Sequence, residues 1–409
     1  MADELAVWLY GERVAVIDRV RDRLRLAYTE EALRRYPLGT PLLSLSLPVS
    51  SRRYTQGIVR PFLDGLLPEG ESRKAIARGV HAPERDTYGL IRALGRDCAG
   101  AVVIQPAEDP APQAPTTTTA EPLGSDEIEA LVRDLTSAPL GVGGRARVSL
   151  AGVQEKLVLT RMPDGSWGRP VDGTPSTHIL KPEIAAFPDT VENEAFCMRV
   201  AKHLGLDVAF VETTEIGSRK LIVVERYDRT VAADGTVRRI HQEDFCQATG
   251  VSPETKYEED GGPSLLRIAG ILKDVAAPDS LERLLAAVTV NALIGNGDAH
   301  AKNFSLLHTA DGALTLAPLY DLICTLYYGD DRLAMSIDNS HRTDRLTADR
   351  IVNEAVRWGV SRDHAKEVVV DLLAKAPDAL GLAREEIKGV PAKLVATIQD
   401  QLNQIRSVE

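Results

Sequence analysis

The residues with the most chemical content lie in Asn296-Gly297-Asp298-Ala299-His300-Ala301-Lys302-Asn303, with Asp321 further along in Leu319-Tyr320-Asp321-Leu322. Asp298 and Asn303 stand in the pattern D-x-x-x-x-N, the spacing that phosphotransferases of the protein-kinase kind use in their catalytic loop. There the Asp orients an attacking hydroxyl and accepts its proton, the Asn holds Mg²⁺, and a downstream Asp supplies the other metal ligand. Mg²⁺ takes hard oxygen donors and keeps several waters, so one carboxylate, one amide and the phosphates of a nucleotide suffice. A polar loop between two core elements can carry the same residue types by chance. What lies upstream decides between the two.

A nucleotide needs a cover for its phosphates and a cation beside them. Gly141-Val142-Gly143-Gly144-Arg145-Ala146-Arg147-Val148-Ser149-Leu150-Ala151-Gly152-Val153-Gln154-Glu155-Lys156 runs into the strand-like Leu157-Val158-Leu159. A glycine-rich loop ahead of a strand can aim backbone N–H groups at oxyanions. It fits neither the G-x-x-x-x-G-K-[ST] pattern nor a G-x-G-x-x-G before a helix, and a flexible hairpin tip would read the same way. His178-Ile179-Leu180-Lys181-Pro182 is an apolar strand end with a lysine near its exit. Kinases set such a lysine against the α- and β-phosphates and pair it with a helix glutamate. The helix beginning at Glu192-Asn193-Glu194 offers Glu192 or Glu194 for that role, with Ala195, Phe196, Met198, Val200 and Ala201 as its apolar stripe. Lys220-Leu221-Ile222-Val223-Val224-Glu225-Arg226-Tyr227-Asp228-Arg229 reads as a buried strand leaving into a polar segment, where a two-lobed kinase seats adenine. A core strand ending in a charged turn has the same appearance.

The elements that must position these groups follow from local pattern. Val7-Trp8-Leu9-Tyr10 and Val14-Ala15-Val16-Ile17 flank Gly11-Glu12 as a hairpin, and Leu24-Arg25-Leu26-Ala27-Tyr28 alternates as a third strand. Residues 42–47 form another short β-like run before Pro48. Phe62, Leu63, Leu66 and Leu67 fall at helical spacing, helices follow over 71–78 and 88–94, and a glycine-rich turn at Gly95 leads into a strand ending at Ile104. The prolines and the run Thr116-Thr117-Thr118-Thr119 within 105–124 give no apolar period and mark a boundary. A short amphipathic helix is expected over 125–135, with Ser125 as N-cap and Glu127 and Glu129 in its first turns. The hydrophobic helix 281–294 delivers the Asp298 loop at its C-terminal end, and amphipathic helices continue beyond Leu346. This pattern predicts an α+β chain divided as 1–108, a linker over 109–124, a nucleotide-binding part over 125–230 and a helical catalytic part over 231–409.

Composition is that of a globular enzyme-sized chain: 409 residues, 44% hydrophobic and 26% charged. A net charge of −11 opposes nucleic acid across the surface as a whole. Cys98, Cys197, Cys246 and Cys324 form no C-x-x-C pair, which argues against zinc and a disulfide framework and suits a reducing cytoplasm. The N-terminus has no charged-then-apolar leader, and the apolar run 284–294, which contains Asn291, is too short to span a bilayer. A cytoplasmic protein without a membrane anchor is expected.

With these pieces in order the chain resembles the HipA family, the serine/threonine kinase toxins of bacterial toxin–antitoxin pairs. The resemblance runs through Ser149-Leu150-Ala151-Gly152-Val153-Gln154-Glu155-Lys156, His178-Ile179-Leu180-Lys181-Pro182, Val224-Glu225-Arg226-Tyr227-Asp228-Arg229, His241-Gln242-Glu243-Asp244-Phe245-Cys246-Gln247 and Gly297-Asp298-Ala299-His300-Ala301-Lys302-Asn303. Leu66-Leu67-Pro68-Glu69-Gly70 and Gly95-Arg96-Asp97-Cys98-Ala99-Gly100-Ala101 extend it toward the N-terminus. It implies a two-lobed protein-kinase-like fold with an N-terminal β-rich small domain and an all-helical C-terminal lobe. Carried over by position, it implies Asp298 as catalytic base, Asn303 and Asp321 as Mg²⁺ ligands, and Lys181 as the phosphate-binding lysine. Ala151, Gly152, Val153, Gln154, Glu155 and Lys156 would form the phosphate loop, Glu225 and Tyr227 would lie at the adenine of ATP, His300 would support the catalytic loop, and His300 and Lys302 would also contact the nucleotide. Ser149 matches the family's autophosphorylated serine, while Tyr227 stands where Phe is common. A small HipB-like helix-turn-helix antitoxin is the implied partner, bringing operator DNA in indirectly. The implied protein substrate is translation-related, such as an aminoacyl-tRNA synthetase, though the motifs describe ATP chemistry and not the docking surface. A nucleotide-binding co-repressor without kinase activity is the alternative, and the intact set Lys181, Asp298, Asn303 and Asp321 favours the kinase.

Overall fold

The structure, a computed structural model, describes residues 4–135, 139–140, 149–152, 154–309 and 312–406. The chain divides into two compact units, the first comprising Met1–Pro182, Glu215–Arg219 and Val223–Glu254, the second Glu183–Thr214, Lys220–Ile222 and Thr255–Glu409. Both units mix strands and helices, and the described helices longer than ten residues all lie in unit two.

Unit one opens with the expected hairpin and third strand, Glu4–Leu9, Glu12–Val20 and Arg23–Tyr28, joined by Val102–Pro106 on one side and Tyr54–Thr55 on the other in a five-stranded sheet. Leu5, Val7, Leu9, Ile17 and Leu26 pack against Phe62, Leu63, Tyr88, Ile91 and Leu94 of the helices Gln56–Gly65 and Thr87–Leu94. Leu150 and Val158 belong to the same apolar cluster. The segment after the glycine-rich loop is therefore anchored in this core.

Residues 42–47 do not form a strand. Leu43 and Leu47 are buried, yet the polar backbone between them is satisfied by side chains instead of a neighbouring strand. Leu45 N donates to Glu243 Oε1 at 3.0 Å, Ser44 Oγ donates to Glu243 Oε2, and the Leu43 carbonyl meets His241 Nε2 at 2.9 Å. Burial pushes the Glu243 carboxyl up to about 7 against the pull of Ser44, Leu45 and His241. Its neutral form is thus the one that the fold favours. The stability it contributes is fully present below the ordinary carboxylate range and is lost as pH rises through about 7. Glu243→Gln should hold its unfolding free energy better than the wild type between about pH 5 and about pH 8, by on the order of 3 kcal/mol. Parallel denaturant titrations at the two pH values measure this, and equal slopes in both proteins would refute it.

A second buried polar cluster binds distant parts of unit one. Asp97 and Asp228, with Arg226, Arg229 and Arg239, are all less than a tenth exposed. Arg229 reaches Asp97 at 3.0 Å, Arg226 reaches Asp228 at 2.8 Å, and Asp97 also accepts from Ser176 N and Oγ. The strand-end sequence Arg226-Tyr227-Asp228-Arg229 therefore serves as internal structure at three of its four positions.

The stretch 109–124, expected as a linker, is built into unit one. Thr117–Thr119 forms a turn of 3-10 helix with Thr117 buried, and Glu121–Pro122 pairs antiparallel with Trp167–Arg169. The following helix, Ser125–Arg133, is capped one residue earlier than expected, at Gly124, whose N–H donates to Glu127 Oε2 at 2.8 Å.

In unit two the helix Thr190–His203 is buried nearly all round from Thr190 to Ala201, polar Glu192, Asn193 and Glu194 included. A single apolar stripe was expected. Asn193 accounts for part of the difference: its Oδ1 accepts from Cys324 N and its Nδ2 donates to the Cys324 carbonyl. Ser280–Ile294 and the long helix Arg362–Glu386 supply most of the remaining core, with Ala392–Arg406 closing the chain. This part is not wholly helical. Ser305–His308 pairs antiparallel with Leu314–Leu316, and Arg332–Ile337 with Ser340–Arg342. Each pair is too short to have stood out among the helical patterns. No described helix is long and apolar enough to cross a membrane.

Candidate active site

The loop that carries Asp298 is held by its own backbone and two buried asparagines. Ser280–Ile294 ends at Gly295 in the left-handed conformation, φ 68°, a cap that costs glycine little. Asn291 Nδ2 bonds back to the Ala287 carbonyl, and Asn291 Oδ1 receives Asn296 Nδ2 at 2.7 Å. Asn296 Oδ1 then accepts the Asp298 N–H at 3.1 Å. Thr325 Oγ1 accepts Gly297 N at 2.8 Å, and the Gly297 carbonyl takes Ala334 N at 2.7 Å. A side chain at Gly297 would run into the Arg332 carbonyl, so only glycine fits. The rigid elements thus fix Asp298 without using its carboxylate.

That carboxylate is half-buried, and its Oδ1 accepts the Tyr257 hydroxyl at 2.8 Å. Burial pushes Asp298 up to about 6, with Tyr257 opposing and the charge of Asp321 adding to the rise. Asp321 adopts φ 59°, in the left-handed region. Such backbone is uncommon outside glycine, tolerated by Asp, and found at functional sites. Its charge also acts on His300. Asp321 is thus close enough for its charge to be felt by both Asp298 and His300.

Asn303 donates its Nδ2 to the Asp298 carbonyl at 3.0 Å, and its N–H to the His300 carbonyl at 2.9 Å. With the amide nitrogen so engaged, Oδ1 is the atom left to act as a hard oxygen donor. An amide oxygen of this kind and a carboxylate such as that of Asp321 are the hard donors that Mg²⁺ takes. His300 is buried, and burial drives its imidazole down to about 3, so it is neutral and packs edge-on to the Tyr257 ring, centroids 5.3 Å apart. Lys302 is buried, and its carbonyl accepts Tyr320 Oη at 2.6 Å.

Unit one holds the remaining predicted residues. Ser149 is fully buried: its Oγ donates to the Leu66 carbonyl at 2.7 Å and its N–H to the Asp97 carbonyl at 2.9 Å. Gly152, at φ 112°, bridges to Pro68 and accepts Glu69 N. Lys156 Nζ donates to the Ala151 carbonyl, Gln154 Nε2 to the Pro182 carbonyl, and Glu155 lies 3.9 Å from Arg219. Val153, Arg145 and Arg147 lie outside the described residues. Lys181 is buried near the end of the strand His178–Pro182. Glu225 is exposed at the end of Arg219–Glu225, and Tyr227 Oη bonds Gln242 Oε1.

Of the two glutamates open to pairing, Glu192 is taken by Lys220 through its Oε1. Glu192, Glu183 and Asp189 bring three carboxylates together, and the Lys220 ammonium offsets part of that charge. Sequence reasoning missed Tyr257, Lys256 and Thr325. The signal for the first two was an aromatic beside a lysine in Thr255-Lys256-Tyr257-Glu258-Glu259-Asp260-Gly261-Gly262, a polar segment with no apolar period.

Residues 5–105 match the HipA N-terminal domain and residues 148–380 the HipA-like C-terminal domain. The Sinorhizobium fredii protein Y4mE is 39% identical over 391 residues, covering 93% of this chain and 92% of its own. The serine/threonine-protein kinase toxin HipA of Shewanella oneidensis is 31% identical over 380 residues, covering 89% and 84%. Among solved structures, that of the Shewanella oneidensis toxin–antitoxin complex of HipA, HipB and operator DNA superposes with a TM-score of 0.83 at 27% identity, covering 98% of this chain and 95% of that one. Both family domains in order, a full-length relative and a full-length structural match agree with the motif order read from the residues: the chain belongs to the HipA family.

Proposed function

We propose that this chain is an ATP- and Mg²⁺-dependent serine/threonine-protein kinase acting as the toxin of a HipA/HipB-type toxin–antitoxin module. The observation that supports the reading is the Asp298 loop, where Asn303 Nδ2 donates to the Asp298 carbonyl and the charge of Asp321 acts on an Asp298 carboxylate already engaged with a hydroxyl. Asp298 orients the acceptor hydroxyl and takes its proton as the oxygen attacks the γ-phosphorus. Asn303 Oδ1 and the Asp321 carboxylate hold Mg²⁺, which when bound offsets the charge of the phosphates. Lys181 serves the α- and β-phosphates, the 151–156 segment covers them, and Glu225 and Tyr227 flank the adenine. Neutral His300 and buried Lys302 keep the loop in shape. The partner is a HipB-like helix-turn-helix protein that brings operator DNA with it, as the composition of the Shewanella complex suggests. The acceptor is a translation-related protein such as an aminoacyl-tRNA synthetase. Incubation with labelled ATP, Mg²⁺ and cell lysate, followed by mass-spectrometric identification of the labelled proteins, tests the reading.

In the proposed kinase Ser149 is the self-phosphorylation site. A phosphoserine carries nearly two negative charges, and the Leu66 carbonyl that now accepts from Ser149 Oγ cannot receive an anion. The modified segment must leave its buried position, and ATP binding should fall with it. Because Ser149 is buried in the folded chain, transfer requires exposure and should occur between two molecules, at a rate rising with protein concentration. Mixing Asp298→Gln protein with active protein and mapping phosphate tests this. Label on the active copy alone would exclude the between-molecule route, and no label on either would remove the switch.

A further inference from the structure

The segment after Pro253 places a phenol against the proposed catalytic base. Tyr257 Oη lies 2.8 Å from Asp298 Oδ1, its ring packs edge-on against His300, and the Lys256 ammonium lies 5.6 Å from the ring centroid. The contact is braced from several directions. Glu258 Oε2 accepts Ser336 N at 2.6 Å, Glu259 pairs with Arg332, and Gly262 N returns to the Tyr257 carbonyl at 2.8 Å. Gly261 adopts φ 93°, and a side chain at Gly262 would strike the carbonyls of Thr255 and Tyr257, so the turn is set by glycines. Arg332 and Ser336 belong to Arg332–Ile337, the strand whose Ala334 N–H braces Gly297. One strand therefore fixes both the base and the hydroxyl bonded to it.

We propose that Tyr257 holds the place of the acceptor: its hydroxyl makes to Asp298 the hydrogen bond that a serine or threonine hydroxyl, or a water, must make before transfer. An acceptor then reaches the base only as Tyr257 Oη gives way. This rests on the kinase reading of Asp298 and adds to it a residue that sets access to the base. Its action is to suppress loss of phosphate to water when no protein acceptor is present. In that side reaction a water oxygen attacks the γ-phosphorus, the bond to the β,γ-bridging oxygen breaks, ADP leaves and the water's proton passes to Asp298. Tyr257→Phe keeps the ring against His300 and removes only the competing hydroxyl.

The test is ADP release from Mg²⁺-ATP by purified wild type, Tyr257→Phe, Asp298→Gln and the double variant, with ATP affinity and melting temperature measured alongside. Replacing a hydrogen bond to a carboxylate by access for water should raise hydrolysis by about tenfold in Tyr257→Phe. ATP affinity should stay unchanged, and the double variant should be as slow as Asp298→Gln. Hydrolysis by Tyr257→Phe at or below the wild-type rate, with turnover still dependent on Asp298, would overturn the placeholder while sparing the kinase reading. Phosphate found on Tyr257 itself would overturn it too, by making the phenol an acceptor. Wild-type turnover that does not depend on Asp298 would end both.

Discussion

Asp298→Gln should fold, bind ATP nearly as well as the wild type and transfer phosphate about a thousandfold more slowly, within the range that general-base catalysis supplies. The expectation of an intact fold comes from how the loop is built. Asp298 is held through its N–H by Asn296 and through its carbonyl by Asn303, and neither bond uses the carboxylate. The segment over the base is also held through Glu258 and Glu259, so it does not depend on the Asp298 carboxylate. What is lost is the ability to take a proton from the acceptor. The loss should therefore fall on turnover and leave ATP affinity nearly untouched. Calorimetric ATP binding and single-turnover transfer measure the two separately. If binding and transfer disappear together, the loop is structural and the base is elsewhere.

Asp321→Asn should lower Mg²⁺-dependent transfer by about two orders of magnitude or more, the scale of a lost charge on a catalytic metal. Asparagine keeps the shape and is itself tolerated in the left-handed region that Asp321 occupies at φ 59°. The defect should thus be one of charge, seen as a higher Mg²⁺ requirement in a Mg²⁺ titration of the rate. Transfer at the wild-type rate would remove Asp321 from the metal site.

The parts of this molecule that were legible in its sequence are those whose signal is local. The N-terminal hairpin, the strand carrying Lys181 and the helix ending before Asp298 are set by apolar period and turn residues, and they fold as read. Residues 42–47 misled because Glu243, far along the chain, satisfies their backbone from a buried position. The polar face of Thr190–His203 is buried for a similar reason, with Asn193 and Glu192 finding partners in Cys324 and Lys220. At the site, the spacing of Asp298 and Asn303 placed both in one loop, but it could not reveal Tyr257, whose role depends on a tertiary contact. Ser149 shows the same limit: a serine next to a glycine-rich stretch gives no sign of burial, yet it is fully buried and bonded to the Leu66 and Asp97 carbonyls.

Transfer of phosphate from ATP to a protein hydroxyl at the Asp298 loop is tested most directly by comparing two proteins. Wild type and Asp298→Gln, brought to equal ATP occupancy and incubated with γ-labelled ATP, Mg²⁺ and cell lysate, should differ sharply in protein-bound phosphoserine and phosphothreonine. Label is expected with the wild type and almost none with the variant. Equal label from the two, or ATP bound by the wild type with no label on any protein, would contradict it.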